Sequence, residues 1–394
     1  MARELRRERR IAILGAGMLG TILAILLGRQ GVNVTVFEAA ERPLDRAGRW
    51  NEGKIHLGYT YAADRSLETA QKLIPGGIAF QRIVEDLIDG SIESHLTTGD
   101  DVFLTHTKSA IDAEAMSHHF NAVWALLSQV QDGARRPSRL TRLELTDITR
   151  NADIVAGFRI PERSIDSNWL ADRLVARLIA SDRVELVCNC PVRALSQDGR
   201  NFRIVTSGGD FSGFDTVVNA LWEGQSRIDN DMGRPVQPLS YRYRVAVFAK
   251  APGARLDNTL IMTGPFGDTK NYDGEHLYLS WYPAGLLLDR HQEHAPPAPE
   301  LNDAMEADIG RNVLAGLGVY FPAVLDIPRI AERQVVRGGW IVAHGEGTLS
   351  DPNSPLHRRD QFGISRHGSY YSVQTGKFSV APWLASKLAD GLLG

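Results

Sequence analysis

Cysteine is almost missing from this chain: Cys188 and Cys190 are the only two in 394 residues. Two apart on a strand-like stretch, they point to opposite faces and are poorly placed to pair. A disulfide scaffold is excluded, and a reducing compartment such as the cytoplasm fits. Long runs of one charge sign are absent too, and the formal net charge is −3. Nucleic acid is therefore not an implied partner, because its binders carry a basic face. No stretch reaches membrane-spanning length free of charge. The apolar run Ile11–Gly28 follows Arg6, Arg7, Arg9 and Arg10, as an export signal would. Against that reading, Glu4 and Glu8 interrupt the charge, and the run passes straight into a strand-like segment. His344 and His357 sit near Glu346 and Asp360 without tight ligand spacing, so no metal site is expected. No nucleophile-elbow pattern occurs either. Oligomeric state leaves no signal in the sequence.

What is present is enough apolar material, 43% of residues, for a sizeable core. The clearest pattern stands near the start. Ile11–Leu14 reads as a short strand, Gly15-Ala16-Gly17-Met18-Leu19-Gly20 as a turn into a helix running to Arg29, and Val32–Phe37 as a second strand ending at Glu38. Such a βαβ unit binds a dinucleotide. Gly15 permits the tight turn, Gly17 lets backbone approach a pyrophosphate, and Gly20 lets the helix pack on the sheet. The helix N-terminus, with Met18 and Leu19, offers free N–H groups to the phosphates. Glu38 can accept both ribose hydroxyls, and its charge would repel a 2′-phosphate. No second glycine triplet of this spacing follows, which points to one nucleotide.

Further along, helices are expected over Leu67–Asp89, Ala113–Gln131, Asp166–Ser181, Leu301–Leu317 and Ala381–Leu393. Strands are expected at Asp101–Thr105, Val184–Val187, Phe202–Thr206, Thr216–Ala220, Tyr241–Ala249, Leu277–Tyr282 and Val335–Val342. The strands that should neighbour the first βαβ unit come from separated stretches. The expectation is an α/β composite: a Rossmann-like domain (1–75, 165–235 and 335–394) interleaved with a mixed or antiparallel-sheet substrate domain (76–164 and 236–334).

Three segments resemble the D-amino-acid oxidase-like FAD-dependent oxidoreductases, the family of glycine and sarcosine oxidases. They are Arg49-Trp50-Asn51-Glu52-Gly53-Lys54-Ile55-His56-Leu57-Gly58, Asp215–Trp222, and the expected loop Gly368–Lys377 with the helix after it. The resemblance implies FAD as cofactor. It puts Arg49, Trp50, Asn51 and Gly53 on the flavin side, Val192 against adenine, and Ala220 and Trp222 on a strand returning to the nucleotide. Gly376, Lys377 and Phe378 would approach the pyrimidine edge of the flavin, where a lysine charge stabilises the reduced ring. Asn51 follows Trp50 where some members carry a covalently attached histidine, so noncovalent FAD is implied.

The family's chemistry is oxidation of a CH–NH or CH–OH group of a small polar molecule by hydride transfer to flavin N5. Candidate substrate-side residues are His56 inside the recognised loop, Arg337 as a carboxylate clamp, Lys377, Arg244 with Arg242 on an alternating strand, and Tyr282 near Tyr278 and Trp281. Plain sheet packing is the competing reading for the strand residues. A flavin-dependent oxygenation or isomerisation of a sugar or natural-product intermediate is the competing function.

Overall fold

The computed structural model describes residues 9–199 and 201–394; Glu4, Arg6, Arg7 and Glu8 lie outside the described residues. Three sheets organise the chain. The first has six strands, in the order Gly363–His367, Tyr370–Gln374, Thr216–Asn219, Arg10–Leu14, Asn33–Phe37 and Val184–Val187. All its pairings are parallel except that of Gly363–His367. A parallel sheet needs both faces covered, and the alternation of its central strand shows how. Ile11 and Ile13 face the helices Met18–Arg29, Glu68–Ile88, Ser167–Ile179 and Ala381–Leu393. Ala12 and Leu14 face a three-stranded antiparallel meander, Val192–Asp198, Asn201–Thr206 and Gly209–Phe214, through Phe202, Ile204 and Phe214. Asp166 caps Ser167–Ile179 by accepting from Asn168 and Trp169 N–H, as its side chain predicts.

The second sheet has nine strands and is mostly antiparallel. Its centre is Leu239–Lys250, paired along its whole length with Arg333–His344. Val245 and Val247 face the helix Asp303–Gly318 through Val313, Leu314 and Leu317. On the opposite face, Arg242, Arg244 and Ala246 border a large cavity. The two-residue period thus sorts this strand into a packing face and a site face.

Several expectations change. Gly368–Lys377, read as a loop, contains the buried strand Tyr370–Gln374; glycine and serine hid a segment whose alternate residues serve two cores, Tyr370 one and Tyr371 and Val373 the other. Val335–Val342 belongs to the second sheet rather than the nucleotide domain, since Arg333–His344 pairs, among the described residues, with Leu239–Lys250 alone. The boundary at 75 falls inside the helix Glu68–Ile88, which carries Pro75 and buries Leu73, Phe80 and Val84 in the nucleotide-side core. Val184–Val187 stops before Cys188, and both cysteines are free. Among the described residues no helix is long and apolar enough to cross a membrane.

Candidate active site

A cavity of about 430 Å³ runs from the first glycine turn to the site face of the second sheet. At its nucleotide end the wall is backbone. Gly15 has φ +97°, and a Cβ there would stand 2.8 Å from the Ala220 carbonyl oxygen. A Cβ on Gly20 would stand 1.9 Å from the Gly15 carbonyl oxygen, so only glycine lets the helix seat this closely. A Cβ on Gly17 would meet nothing within 4 Å, because that position faces open space. Gly17 is also the N-cap of Met18–Arg29 and offers no side-chain hydrogen bond, so the first-turn N–H groups are left for an anion. Glu38 accepts N–H from Ala16 and from Ala40, both at 2.8 Å. Those bonds aim its carboxylate while leaving lone pairs for ribose hydroxyls. This cradle fits the ADP half of FAD.

The recognised loop then carries the wall toward the second sheet. Asn51 pins it: its Nδ2 donates to the Ala47 carbonyl at 2.8 Å, and its Oδ1 accepts from Gly53 N–H at 2.7 Å. Trp50 packs edge-on against Phe248 at 5.1 Å between centroids. Trp222, at φ +55°, donates its Nε1–H to the Trp340 carbonyl at 2.9 Å. Ala220, Gly376, Lys377 and Phe378 border the same space. Lys377 Nζ lies 5.3 Å from the centroid of Tyr61.

The substrate end is made of charged and aromatic side chains. His56 is buried, with its ring Nδ1 unpartnered and its Nε2 3.9 Å from Glu52. Burial, reinforced by Lys377 and Lys54, holds its pKa well below the ordinary histidine value, so the ring is neutral at pH 7. Burial pushes Glu52 up, but Lys377, Lys54 and Arg244 outweigh it and hold the carboxyl below its usual range. Asp268 is raised to about 7 by burial and by the nearby Glu52 charge. Arg244 holds Asp268 at 3.0 Å, bonds Ser280, and lies 4.8 Å from the Tyr282 ring centroid. Arg242 donates to the Tyr282 hydroxyl at 2.7 Å. Beneath this floor, Asp101 bridges Lys54 and Lys270, and Glu162 lies 3.3 Å from Lys54, all fully buried.

The structure brings His56, Arg244, Tyr282, Lys377 and Arg337 to the border of one space, but not every expected residue aims its polar atoms into it. The Arg337 guanidinium turns to Glu306 and to its own Val336 carbonyl. Its strand position, opposite Ala246, sets it on the site face at the cavity's border, but the guanidinium turns away to Glu306 on the helix Asp303–Gly318. Arg49 holds the Leu44 carbonyl and Asp172, tying the loop to Ser167–Ile179. Gly53, at φ +62°, allows the chain past Ile165, whose carbonyl oxygen a Cβ would meet at 1.8 Å. Val192 packs in the meander core beside Cys190 rather than on the cavity wall. Trp281 packs on Tyr320 instead. Sequence reasoning missed Glu52, Asp268, Tyr61 and Arg359, which all border the cavity. Glu52 was legible in principle, standing four residues before His56; Arg359 lies in a loop whose course nothing local announces. Among the described residues no group of three or more His, Cys, Asp or Glu could hold a metal ion.

A glycine-turn cradle, a pinned flavin-side loop and a polar chamber over a second sheet define an FAD-dependent oxidoreductase. The chain belongs to the family described as FAD dependent oxidoreductase, whose model matches residues 10–370. Its fold is shared with iminodiacetate oxidase from a Chelativorans species, at 16% identity over 98% of this chain and 95% of that one, TM-score 0.68. Glycine oxidase from Geobacillus kaustophilus is similar at 16% identity over 97% and 94%, TM-score 0.67. L-amino acid deaminase from Proteus vulgaris is similar at 16% identity over 100% and 95%, TM-score 0.67. A kynurenine 3-monooxygenase from Salinispora tropica is 38% identical over 63 residues, 16% of this chain and 14% of that relative's length.

Proposed function

We propose that this chain oxidises the CH–NH bond of an amino-acid-like substrate, or the matching CH–OH bond of a hydroxy acid. The names of the relatives that share its fold, two amino-acid or amine-diacid oxidases and a deaminase, support that substrate class. One observation carries the reading. A neutral imidazole with a free ring nitrogen, His56 Nδ1, stands in a chamber lined by Arg242, Arg244, Arg359 and Lys377. Bound FAD supplies the two-electron acceptor.

The protein's own tasks are then positioning and proton handling. The guanidinium of Arg242, oriented by Tyr282, anchors the substrate's acid group. His56 Nδ1 accepts the proton that an ammonium or hydroxyl must lose before its carbon can give up hydride. Burial, with the surrounding cations, keeps that imidazole unprotonated between substrates. Leu356 and Met262 border the chamber and exclude water. The test is anaerobic bleaching of the yellow holoenzyme by a panel of amino and hydroxy acids. Bleaching by members of the panel is the expected result. Bleaching by NAD(P)H with none of the panel active would overturn the reading in favour of oxygenation.

A further inference from the structure

Most cations around the chamber have an acidic partner. Lys54 and Lys270 share Asp101, Arg244 holds Asp268, and Lys377, though without an ion pair among the described residues, is close enough to hold Glu52 down. Among the described residues Arg242 and Arg359 have none. Arg242 is 3% exposed, its one bond is to the Tyr282 hydroxyl, and its Nε is unpartnered. The main charged neighbour of Arg359 is Arg242 itself, with the hydroxyls of Tyr61 and Tyr282 beside it. Burial and that like charge lower Arg359 to about 10. The adjacent Arg358 behaves oppositely, pairing with Glu68 and Asp360 outside the chamber. The loop that delivers Arg359 is anchored: its backbone N–H donates to Thr69 Oγ1 at 3.0 Å, and His357 Nε2 bonds the Asp351 carbonyl at 2.8 Å.

A buried guanidinium and a half-buried one on the same cavity wall, neither with a carboxylate, are costly in an empty protein and are relieved by an anion. From this pair we infer that the substrate carries two negative charges in its reacting form. The inference rests on the amino- or hydroxy-acid reading above. A simple amino acid whose amine has been deprotonated carries one negative charge and would leave one guanidinium unmatched. A second carboxylate, or a phosphate monoester, supplies the missing charge. Single-charge and neutral competitors are disfavoured by the residual uncompensated cation.

The experiment titrates the holoenzyme's flavin absorbance with malonate, succinate and glutarate, with acetate and butyrate, and with inorganic phosphate. A dicarboxylate or phosphate should bind at least about tenfold more tightly than the monocarboxylates. Arg242→Gln and Arg359→Gln should each weaken the dianion by roughly 10–100-fold and erase most of the preference. Arg359→Lys, which keeps the charge, should retain part of it. FAD content and a thermal melt report whether each variant has folded. If Arg242→Gln fails that check, Arg359→Gln and the salt dependence of wild-type affinity carry the test. Tight phosphate with weak dicarboxylates would place both charges on one phosphate group. Equal affinity for mono- and dianions, or variants that weaken both equally, would overturn the inference. In the bleaching panel, faster reaction with singly charged acids than with diacids would overturn it and leave the proposed oxidation standing. No bleaching by any acid, with the dianion preference intact, would instead sink the proposed oxidation and leave the two-charge pocket.

Discussion

At the nucleotide end of the cavity the wall is mostly main chain, with glycines at Gly15, Gly17 and Gly20 and a single oriented carboxylate, Glu38. At the substrate end it is almost wholly side chain: His56, Glu52, Arg242, Arg244, Asp268, Tyr282 and Arg359 arrive from the early loop, the second sheet and the loop before Gly363–His367. The first construction makes a shape that one consecutive stretch of chain can specify. The second makes an electrostatic field, which depends on distant segments meeting and can be altered one residue at a time. A backbone cradle should therefore fail abruptly when crowded, whereas the chamber should degrade in graded, separable ways.

The largest expected effect crowds the cradle. Gly20→Val puts a Cβ within 1.9 Å of the Gly15 carbonyl oxygen, so the helix must lift from the sheet. The purified protein should be colourless or insoluble, read from flavin absorbance per protein. Gly17→Ala separates folding from binding. Its Cβ meets nothing within 4 Å, so the FAD-free protein should melt unchanged. FAD affinity should still fall, because overpacking costs ~1–3 kcal/mol once the nucleotide fills that space. Next in size, His56→Asn should lower kcat/KM by roughly 10²–10⁴ with full FAD content. An effect under tenfold would mean that Nδ1 takes no proton.

The same division decides what could be read from the sequence. The glycine spacing, the strand before it and Glu38 lie within one local unit, and the geometry follows from their order. The helix Ala381–Leu393 and the cap at Asp166 were local signals as well, and both stand where periodicity puts them. Tyr370–Gln374 was misread because burial on both faces removes the polar alternation that marks a half-exposed strand. Arg337 and Arg242 lie on the same face of the second sheet, and what separates them is the partner each guanidinium meets, Glu306 for one and the Tyr282 hydroxyl for the other. Arg359 depends on where a long loop is pinned, at Thr69 and Asp351, and neither anchor is near it in a pattern that sequence periodicity records.

The charged floor of the chamber offers a graded test. Lys270→Met leaves buried Asp101 with Lys54 alone. Breaking a buried pair in this way costs ~3–5 kcal/mol and should appear as a clear drop in melting temperature. Asp268 should show itself through pH. Its carboxyl sits at about 7 in the folded chain against 3.8 for an unperturbed group. Because the folded value is raised, the group's stabilising contribution is complete below about 4 and is lost as pH rises through 7. Wild-type melting temperature should therefore fall across pH 4–7 more steeply than that of Asp268→Asn. A kcat/KM break near pH 7 should vanish in the same variant, while the acid limb set by His56 stays well below 6.5.

The smallest expected effect is the most pointed for the comparison. Arg337 is the residue that strand position alone nominates for the substrate's acid group, yet its guanidinium is committed to Glu306 and the Val336 carbonyl. Its side chain is 43% exposed, and solvent-facing pairs of this kind are worth roughly 0–1 kcal/mol. Arg337→Gln should leave FAD content, KM and the dianion preference within about twofold of wild type, since a shift under about 0.4 kcal/mol is all that a screened pair can transmit to the site. Arg359→Gln, a substitution of the same chemistry, should raise KM by at least about tenfold. If the two variants behave alike, the charge of the chamber is a diffuse property of the whole sheet. If they differ as stated, it resides in the two guanidiniums that face the cavity without an acidic partner.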